Sequence, residues 1–167
     1  MLNCAALRNL CRAALAEDVG SGDATTLAVI PAELQVQAEL RTRQDCVCAG
    51  LPVARMLFEE LDPSLAFEAR VEDGDRCVAG QVLAELSGHA RAVLTGERTA
   101  LNFLQRLSGI ATLTRRYVDA LGDSPTRILD TRKTTPGWRQ LEKYAVRMGG
   151  GTNHRFGLYD RDRKSVV

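Results

Sequence analysis

The chain has 167 residues, of which 45% are hydrophobic and 26% are charged. This length allows one domain, or one domain with part of another, and is too short for a complete α/β barrel of about 250 residues. The net charge of +1 conceals a division, because residues 1–90 carry −7 and residues 91–167 carry +8. The basic second half suggests contact with an anion such as nucleic acid, a phosphate or a carboxylate.

Several classes of protein are disfavoured by composition. No apolar run approaches the roughly 18 residues of a membrane helix, and Glu17 and Asp18 stand where a signal peptide would have its cleavage site. We therefore expect a cytoplasmic protein with no membrane partner. The five cysteines include no C-x-x-C pair, so we expect no metal site among them. Aromatic residues are only 5%, which argues against a stacking surface for nucleic acid.

The first half is predicted to mix helices and strands. Apolar residues at spacings of three and four predict helices, whereas alternating apolar and polar residues predict strands. In chain order, the predicted elements are helix 3–17, strand 34–48, helix 51–61, strand 67–71 and strand 82–86. Two glycines and two acidic residues within 18–26 predict a loop there. This order favours an α+β sandwich over about the first 85–110 residues.

The second half is predicted to begin with two helices and end with a β/α unit. Helices are expected over 90–107 and 110–121, separated by Ser108-Gly109. A short strand at 127–129 then leads through a loop to a helix at 138–148, which three glycines end. One such unit is typical of the start of a β/α repeat and cannot close a sheet by itself.

The loop that begins at Asp130 is the first candidate site. Its sequence DTRKTTPG places two cations and three hydroxyls directly after a short apolar strand, where α/β folds hold their ligands. Arg132 can bind a carboxylate through two parallel N–H donors, and Lys133 offers a compact charge for a phosphate. A solvated basic turn is the alternative interpretation.

Two further candidates carry basic side chains. His154 and Arg155 follow the three glycines, which would let the backbone approach a ligand closely, and both could add donors to the same anion. A flexible surface loop is the alternative there. Arg98 borders the apolar stripe of its helix, so it is either a surface arginine with a packed stem or one presented from an interface.

Four longer motifs resemble one enzyme family. They are EDVGSGDATT (17–26), GERTALNFLQRLSGIAT (96–112), LDTRKTTPGWRQLEKYAV (129–146) and GGGTNHRFGLYD (149–160). Together they make the chain similar to the quinolinate phosphoribosyltransferases, also called nicotinate-nucleotide pyrophosphorylases (carboxylating). The resemblance covers nearly the whole chain as far as Asp160.

The resemblance implies a fold and a reaction. The expected fold is an α+β N-terminal sandwich domain (1–110) followed by the start of an α/β barrel (111–161), truncated here and assembled at least as a homodimer. The implied enzyme is a pentosyltransferase of de novo NAD synthesis. It converts quinolinate and 5-phosphoribosyl-1-pyrophosphate into nicotinate mononucleotide, pyrophosphate and CO₂, with Mg²⁺ as cofactor.

The resemblance also implies roles for five residues. Arg132, His154 and Arg155 match family positions that hold the quinolinate carboxylates, and Lys133 matches one that reaches the substrate and phosphoribosyl groups, which makes it the catalytic candidate. Arg98 matches an arginine that enters the neighbouring subunit's site. No metal ligand is assigned within this chain.

The sequence departs from the family pattern after Asp160. The family continues with an apolar strand that ends in a lysine, which Lys164 does not match. Residues 162–167 back-translate to a common sequencing adapter, so we predict that they are not native. The chain is then expected to be an N-terminal fragment that lacks the Mg²⁺ ligands and has little or no activity alone.

Three other interpretations stay open from the sequence. One is a paralogue of the same fold, such as the ModD-like proteins associated with molybdenum transport. A second is a non-catalytic fragment that binds an anion or nucleic acid. A third is a lipoyl- or biotinyl-carrier hairpin around 73–80, which the distance in sequence from that hairpin to any lysine disfavours.

Overall fold

This computed structural model describes residues 4–160, which contain five helices and five strands. In chain order they are α1 (Cys4–Val19), α2 (Ala24–Val29), β1 (Gln35–Arg41), β2 (Cys46–Val47), α3 (Leu51–Leu61), β3 (Ala66–Ala69), β4 (Arg76–Cys77), β5 (Val82–His89), α4 (Ala90–Ala120) and α5 (Arg139–Met148). No helix within these residues combines the length and the apolar character that crossing a membrane requires. The tail predicted at 162–167 lies outside the described residues.

The strands form two antiparallel sheets. The larger has the order β1-β5-β3, with Gln35 opposite His89 at one end of its first pair and Ala66 opposite Ser87 in its second. The smaller joins β2 to β4. Helix α3 packs against α4 to form the centre of the core, with Leu57 and Phe58 fully buried between the elements.

Helix α4 runs unbroken from Ala90 to Ala120, so the predicted interruption at Ser108-Gly109 is wrong. The Ser108 hydroxyl accepts a hydrogen bond from the Ala49 amide (3.0 Å) and donates one to the Ala49 carbonyl (3.2 Å). Leu107 is fully buried on the same helix. Tertiary packing therefore outweighs the low helix propensity of the Ser-Gly pair. The predicted domain boundary at 110 falls inside this helix.

Three other local predictions need correction. The predicted loop 18–26 contains the start of α2, which Asp23 caps by accepting from the Thr26 amide (3.0 Å). The predicted strand 34–48 is divided into β1 and β2. The predicted strand 127–129 is reduced to a parallel bridge between Leu129 and Thr152, because within the described residues two backbone hydrogen bonds at Thr152 are its only pairing. The other predicted helices and strands are confirmed within three residues at each end.

Asp73 connects the first half of the chain to α5. Helix α3 begins after Gly50, which has no side chain to cap it, and the Asp73 carboxylate accepts from the amides of Gly50 (2.7 Å) and Leu51 (3.1 Å) instead. The Tyr144 hydroxyl of α5 donates to the same carboxylate (2.6 Å). Burial, together with this hydrogen bond, raises the pKa of Tyr144. One acidic side chain thus fixes α5 against the N-terminus of α3.

Candidate functional site

The two candidate loops begin side by side. The Thr152 amide donates to the Ile128 carbonyl (2.8 Å), and the Asp130 amide donates to the Thr152 carbonyl (3.2 Å). These bonds form the parallel bridge at Leu129. Residues 130–137, which we call the first loop, are thereby joined to residues 152–156, the second loop.

The Asp130 side chain strengthens this junction. Its Oδ1 forms an ion pair with Lys143 Nζ of α5 and accepts a hydrogen bond from the His154 amide (2.8 Å). The side-chain amide nitrogen of Asn153, in the orientation that satisfies both its oxygen and its nitrogen, donates to Asp130 Oδ2 (3.0 Å) and to the Lys143 carbonyl (2.9 Å). The side chains of Lys143 and Asp130 are only 2% and 6% exposed. The junction is therefore a buried polar centre in which both carboxylate oxygens of Asp130 accept hydrogen bonds.

Arg139 links the same two loops from the start of α5. Its Nε donates to Thr134 Oγ1 (3.0 Å), its Nη2 to the Arg132 carbonyl (3.5 Å) and its Nη1 to the Phe156 carbonyl (3.2 Å). All three acceptors are neutral. Arg139 consequently holds the first loop near the second without using a carboxylate.

The far end of the first loop is anchored to α4 and α5. Arg106 Nη2 donates to Glu142 Oε1 (2.7 Å) and to Thr135 Oγ1 (2.7 Å), and the Thr135 hydroxyl donates to Glu142 Oε1 (2.8 Å). Burial by itself would raise the pKa of Glu142, but the hydrogen bonds from Arg106 and Thr135 lower it overall. Trp138 stacks on Phe103 of α4, with ring centroids 4.6 Å apart.

The structure brings together four of the five predicted site residues. Arg132 and Lys133 lie on the first loop, and His154 and Arg155 lie on the second. Arg132 and Arg155 are half-buried, whereas Lys133 and His154 are exposed.

The cations of these loops have no acidic partners within residues 4–160. No carboxylate there forms an ion pair with Arg132, Lys133 or Arg155, in contrast to Arg106 and Lys143. The buried Arg132 Nε also lacks a hydrogen-bond acceptor among the described residues. A buried donor without an acceptor is costly, so this arrangement is suited to a ligand that carries carboxylate or phosphate oxygens.

Arg98 lies elsewhere. It is exposed on α4 and lines an open cleft of about 1890 Å³ between α4 and the larger sheet. None of the other four predicted site residues lines this cleft. The structure of one chain therefore does not bring Arg98 to the two loops.

The glycines at 149–151 serve packing against α4 and α5. A Cβ on Gly149 would lie 2.4 Å from the Ala111 carbonyl oxygen, and one on Gly151 would lie 2.7 Å from Val146 Cγ1. Gly150 has φ +86°, and a Cβ there would lie 3.1 Å from the Arg115 guanidinium. These glycines let the backbone approach protein atoms of α4 and α5, and this packing, rather than the predicted approach to a ligand, explains their small size.

The motif at 17–26 is explained by contacts with α4. Thr95 Oγ1 donates to Asp23 (3.1 Å), and Thr99 Oγ1 donates to Asp18 (3.3 Å). Hydrogen bonds from Thr26, followed by that from Thr95, hold the pKa of Asp23 below its usual value. These acidic residues fix the N-terminal segment on either side of Arg98.

Sequence reasoning missed the residues that hold the loops in place. The sequence pattern predicts Asp130 only as the first residue of a turn and predicts no role for Arg139 or Lys143. A charged residue on a helix that follows a basic loop is too common a pattern to identify such a role. The observation that Lys143 is buried, which could have singled it out, requires the structure.

A magnesium site is not formed by the described residues. Within 4–160 there is no group of three or more His, Cys, Asp or Glu residues that could hold a metal ion. The carboxylates of the two loops and α5 are already paired, Asp130 with Lys143 and Glu142 with Arg106. This donor set does not fit a Mg²⁺ ion held by protein side chains.

Solved structures share this fold. The NadC structure from Streptococcus pyogenes superposes with a TM-score of 0.92 at 46% identity, covering 96% of this chain and 57% of that one. The nicotinate-nucleotide pyrophosphorylase from Francisella tularensis also gives 0.92, at 39% identity, covering 96% and 56%. The predicted α+β N-terminal sandwich followed by the start of an α/β barrel is confirmed by these matches.

Curated relatives lead to the same family. A probable nicotinate-nucleotide pyrophosphorylase [carboxylating] from Synechocystis is 50% identical over 146 residues, which are 87% of this chain and 49% of the relative. The chloroplastic enzyme of that name from Arabidopsis thaliana is 47% identical over 155 residues, 92% of this chain and 44% of the relative. This chain therefore spans about half the length of the curated relatives it matches.

Two family models match consecutive stretches of the chain. The model of the quinolinate phosphoribosyl transferase N-terminal domain matches residues 23–108, and that of the C-terminal domain matches residues 110–162. Together with relatives of 50% identity and the shared fold, these matches show that the chain belongs to the quinolinate phosphoribosyltransferase family.

Proposed function

We propose that this chain forms part of an enzyme that converts quinolinate and 5-phosphoribosyl-1-pyrophosphate into nicotinate mononucleotide, pyrophosphate and CO₂. In this proposal residues 1–110 form the sandwich domain and residues 111–161 begin the barrel. The observation that carries the proposal is the set of cations on the two joined loops that have no acidic partner among residues 4–160, in a chain of this family. The Mg²⁺ that the family implies would need ligands other than residues 4–160.

The charges of the substrates suit these loops. Quinolinate carries two adjacent carboxylates, and the second substrate is more negative still, so fixed cations must offset their repulsion and desolvation. Arg132 is proposed to bind one carboxylate through parallel N–H donors, and His154 and Arg155 to bind the other. Lys133, which is exposed on the first loop, is proposed to reach the phosphoribosyl group.

The reaction depends mainly on how the protein positions the two substrates. Departure of pyrophosphate leaves an oxocarbenium-like ribose, which the ring nitrogen of quinolinate attacks. The resulting pyridinium loses as CO₂ the carboxylate beside its nitrogen, and the electron pair of the broken C–C bond stays on the ring carbon, where the adjacent positive nitrogen stabilises it. A proton from solvent then adds to that carbon and completes nicotinate mononucleotide. Rigid loops that hold the two anions in line would provide most of the catalytic effect. The bonds of Asp130 and Arg139 supply that rigidity on the quinolinate side.

A homodimer accounts for the location of Arg98. Its guanidinium is exposed in a cleft that contains none of the other site residues. We propose that a second copy places its loops against this cleft, so that Arg98 serves the partner's site. A cytoplasmic location stays a prediction, since the relatives include chloroplastic and mitochondrial enzymes.

The test uses a chimaera of the relatives' length. Residues 1–160 are joined to the part of the Synechocystis relative beyond the matched stretch, and formation of nicotinate mononucleotide is measured. Arg132→Ala should lower kcat/KM about 10- to 100-fold, because a charge-assisted hydrogen bond contributes about 1.5–3 kcal/mol. The exposed Arg127, which lies outside both loops, is the matched control, and Arg127→Ala should change kcat/KM less than about twofold.

Two results would contradict the proposal. A chimaera that folds but forms no nicotinate mononucleotide would favour a paralogue with another substrate. Equal effects of Arg132→Ala and Arg127→Ala would show that the first loop does not hold the substrate. Mixing the Arg98→Ala and Lys133→Ala chimaeras tests the shared site, because mixed dimers should regain activity in one of their two sites. Two inactive variants that stay inactive when mixed would contradict the homodimer arrangement.

A further inference from the structure

Lys143 and Asp130 form a buried ion pair that the proposed chemistry does not use. Their side chains are 2% and 6% exposed, so neither can touch a substrate in the solvent-accessible part of the loops. A buried ion pair is poor evidence for stability, because desolvation of the two charges offsets their attraction. The location of this pair at the junction of the two loops points to another role.

We propose that Asp130 and Lys143 are positioning residues for the dicarboxylate substrate, an inference that rests on the proposed function. Asp130 holds the second loop against the first by accepting the His154 amide. Lys143 neutralises Asp130, so that this carboxylate does not repel a substrate anion bound by the neighbouring arginines.

The positioning half of the inference follows from the bonds at Asp130. Its own amide is bonded to Thr152 of the second loop, and its Oδ1 accepts the His154 amide (2.8 Å). Asp130 is two residues before Arg132, and His154 is one residue before Arg155. One short path between the two arginines thus runs through this carboxylate, alongside the backbone bridge and the bonds of Arg139.

The electrostatic half follows from the charges on the loops. Arg132, Lys133 and Arg155 have no acidic partner within residues 4–160, so the loops keep the full charge of these three cations only as long as Asp130 stays compensated. Lys143 of α5 supplies that compensation through its ion pair with Asp130. Without it, a buried negative charge would act at low effective dielectric constant on a dianionic ligand.

The test measures kinetic constants of the active chimaera described above. Lys143→Met leaves Asp130 unpaired and should raise KM for quinolinate about tenfold or more, with a smaller change in kcat. The double variant Asp130→Asn/Lys143→Met removes both charges and keeps an oxygen that can accept the His154 amide, so its KM should return to within about threefold of the parent. A purely structural role would lower kcat through loss of active enzyme and leave KM unchanged.

The Lys143→Met variant could lose activity simply because an unpaired buried carboxylate destabilises the fold. A second comparison therefore uses two double variants, neither of which leaves a buried charge at these positions. Asp130→Leu/Lys143→Met should keep the raised KM, since leucine cannot accept the His154 amide, whereas the Asn/Met pair should not. Equal KM values for these two double variants would overturn the positioning role. An unchanged KM in a folded Lys143→Met variant would overturn the electrostatic role. An inactive parent chimaera would instead refute the proposed function, and this inference with it.

Discussion

Replacement of Asp73 by alanine tests the connection between α3 and α5. The carboxylate accepts from the amides of Gly50 and Leu51 and from the Tyr144 hydroxyl, at 2.7, 3.1 and 2.6 Å. Loss of a helix-capping acceptor costs about 1 kcal/mol. A partly buried hydroxyl left without its acceptor costs about 1–3 kcal/mol more. The free energy of unfolding should therefore fall by about 2–4 kcal/mol.

Urea unfolding followed by the fluorescence of Trp138, the single tryptophan, measures this change. Tyr144→Phe is the matched control, because it removes one hydrogen bond but keeps the cap, and it should cost only about 0.5–1.5 kcal/mol. The double variant should cost less than the sum of the two, because both single changes remove the same bond. A fall below about 0.5 kcal/mol for Asp73→Ala, or strict additivity, would refute this reasoning.

Two further predictions concern packing and pH. Gly149→Ala should lower the free energy of unfolding by about 1–3 kcal/mol, because its Cβ would lie 2.4 Å from the Ala111 carbonyl oxygen. The matched change Gly109→Ala, with no atom within 4 Å, should raise it by up to about 1 kcal/mol, and equal effects in urea would contradict the packing argument. Hydrogen bonds from Ser64 and His89 lower the pKa of Asp62 to about 2 from 3.8. Its stabilisation is therefore complete above pH 3.8 and is lost as pH falls through about 2. Ser64→Ala should flatten this acid limb in thermal unfolding, and an unchanged limb would refute the assignment.

The sequence predicted those elements whose signals are local. The apolar spacing of 51–61 gave α3 its observed bounds, since that helix buries one continuous face. The break expected at Ser108 was wrong because the serine hydroxyl is bonded to Ala49, which is distant in sequence. The strand expected at 127–129 depended on a partner that local pattern cannot supply.

The site shows the same division between local and distant signals. The basic residues of the two loops were visible in the motifs, and the structure joins those loops through Asp130. The sequence does not indicate the role of Lys143. Helical spacing places Leu141 and Ala145 on one face of α5 and Lys143 on another, although all three side chains are buried. The second loop covers another side of α5, and periodicity along one helix cannot show that.

The continuity of α4 has a consequence for how the molecule loses its structure. Its 31 residues make a rod about 46 Å long that crosses the boundary between the two family-model matches. Neither region can unfold without fraying a helix that the other region needs for its own core, so the two should melt in one cooperative transition. Backbone amides of α4 on either side of Ser108 should then exchange with solvent through the same global unfolding, with the same free energy of opening.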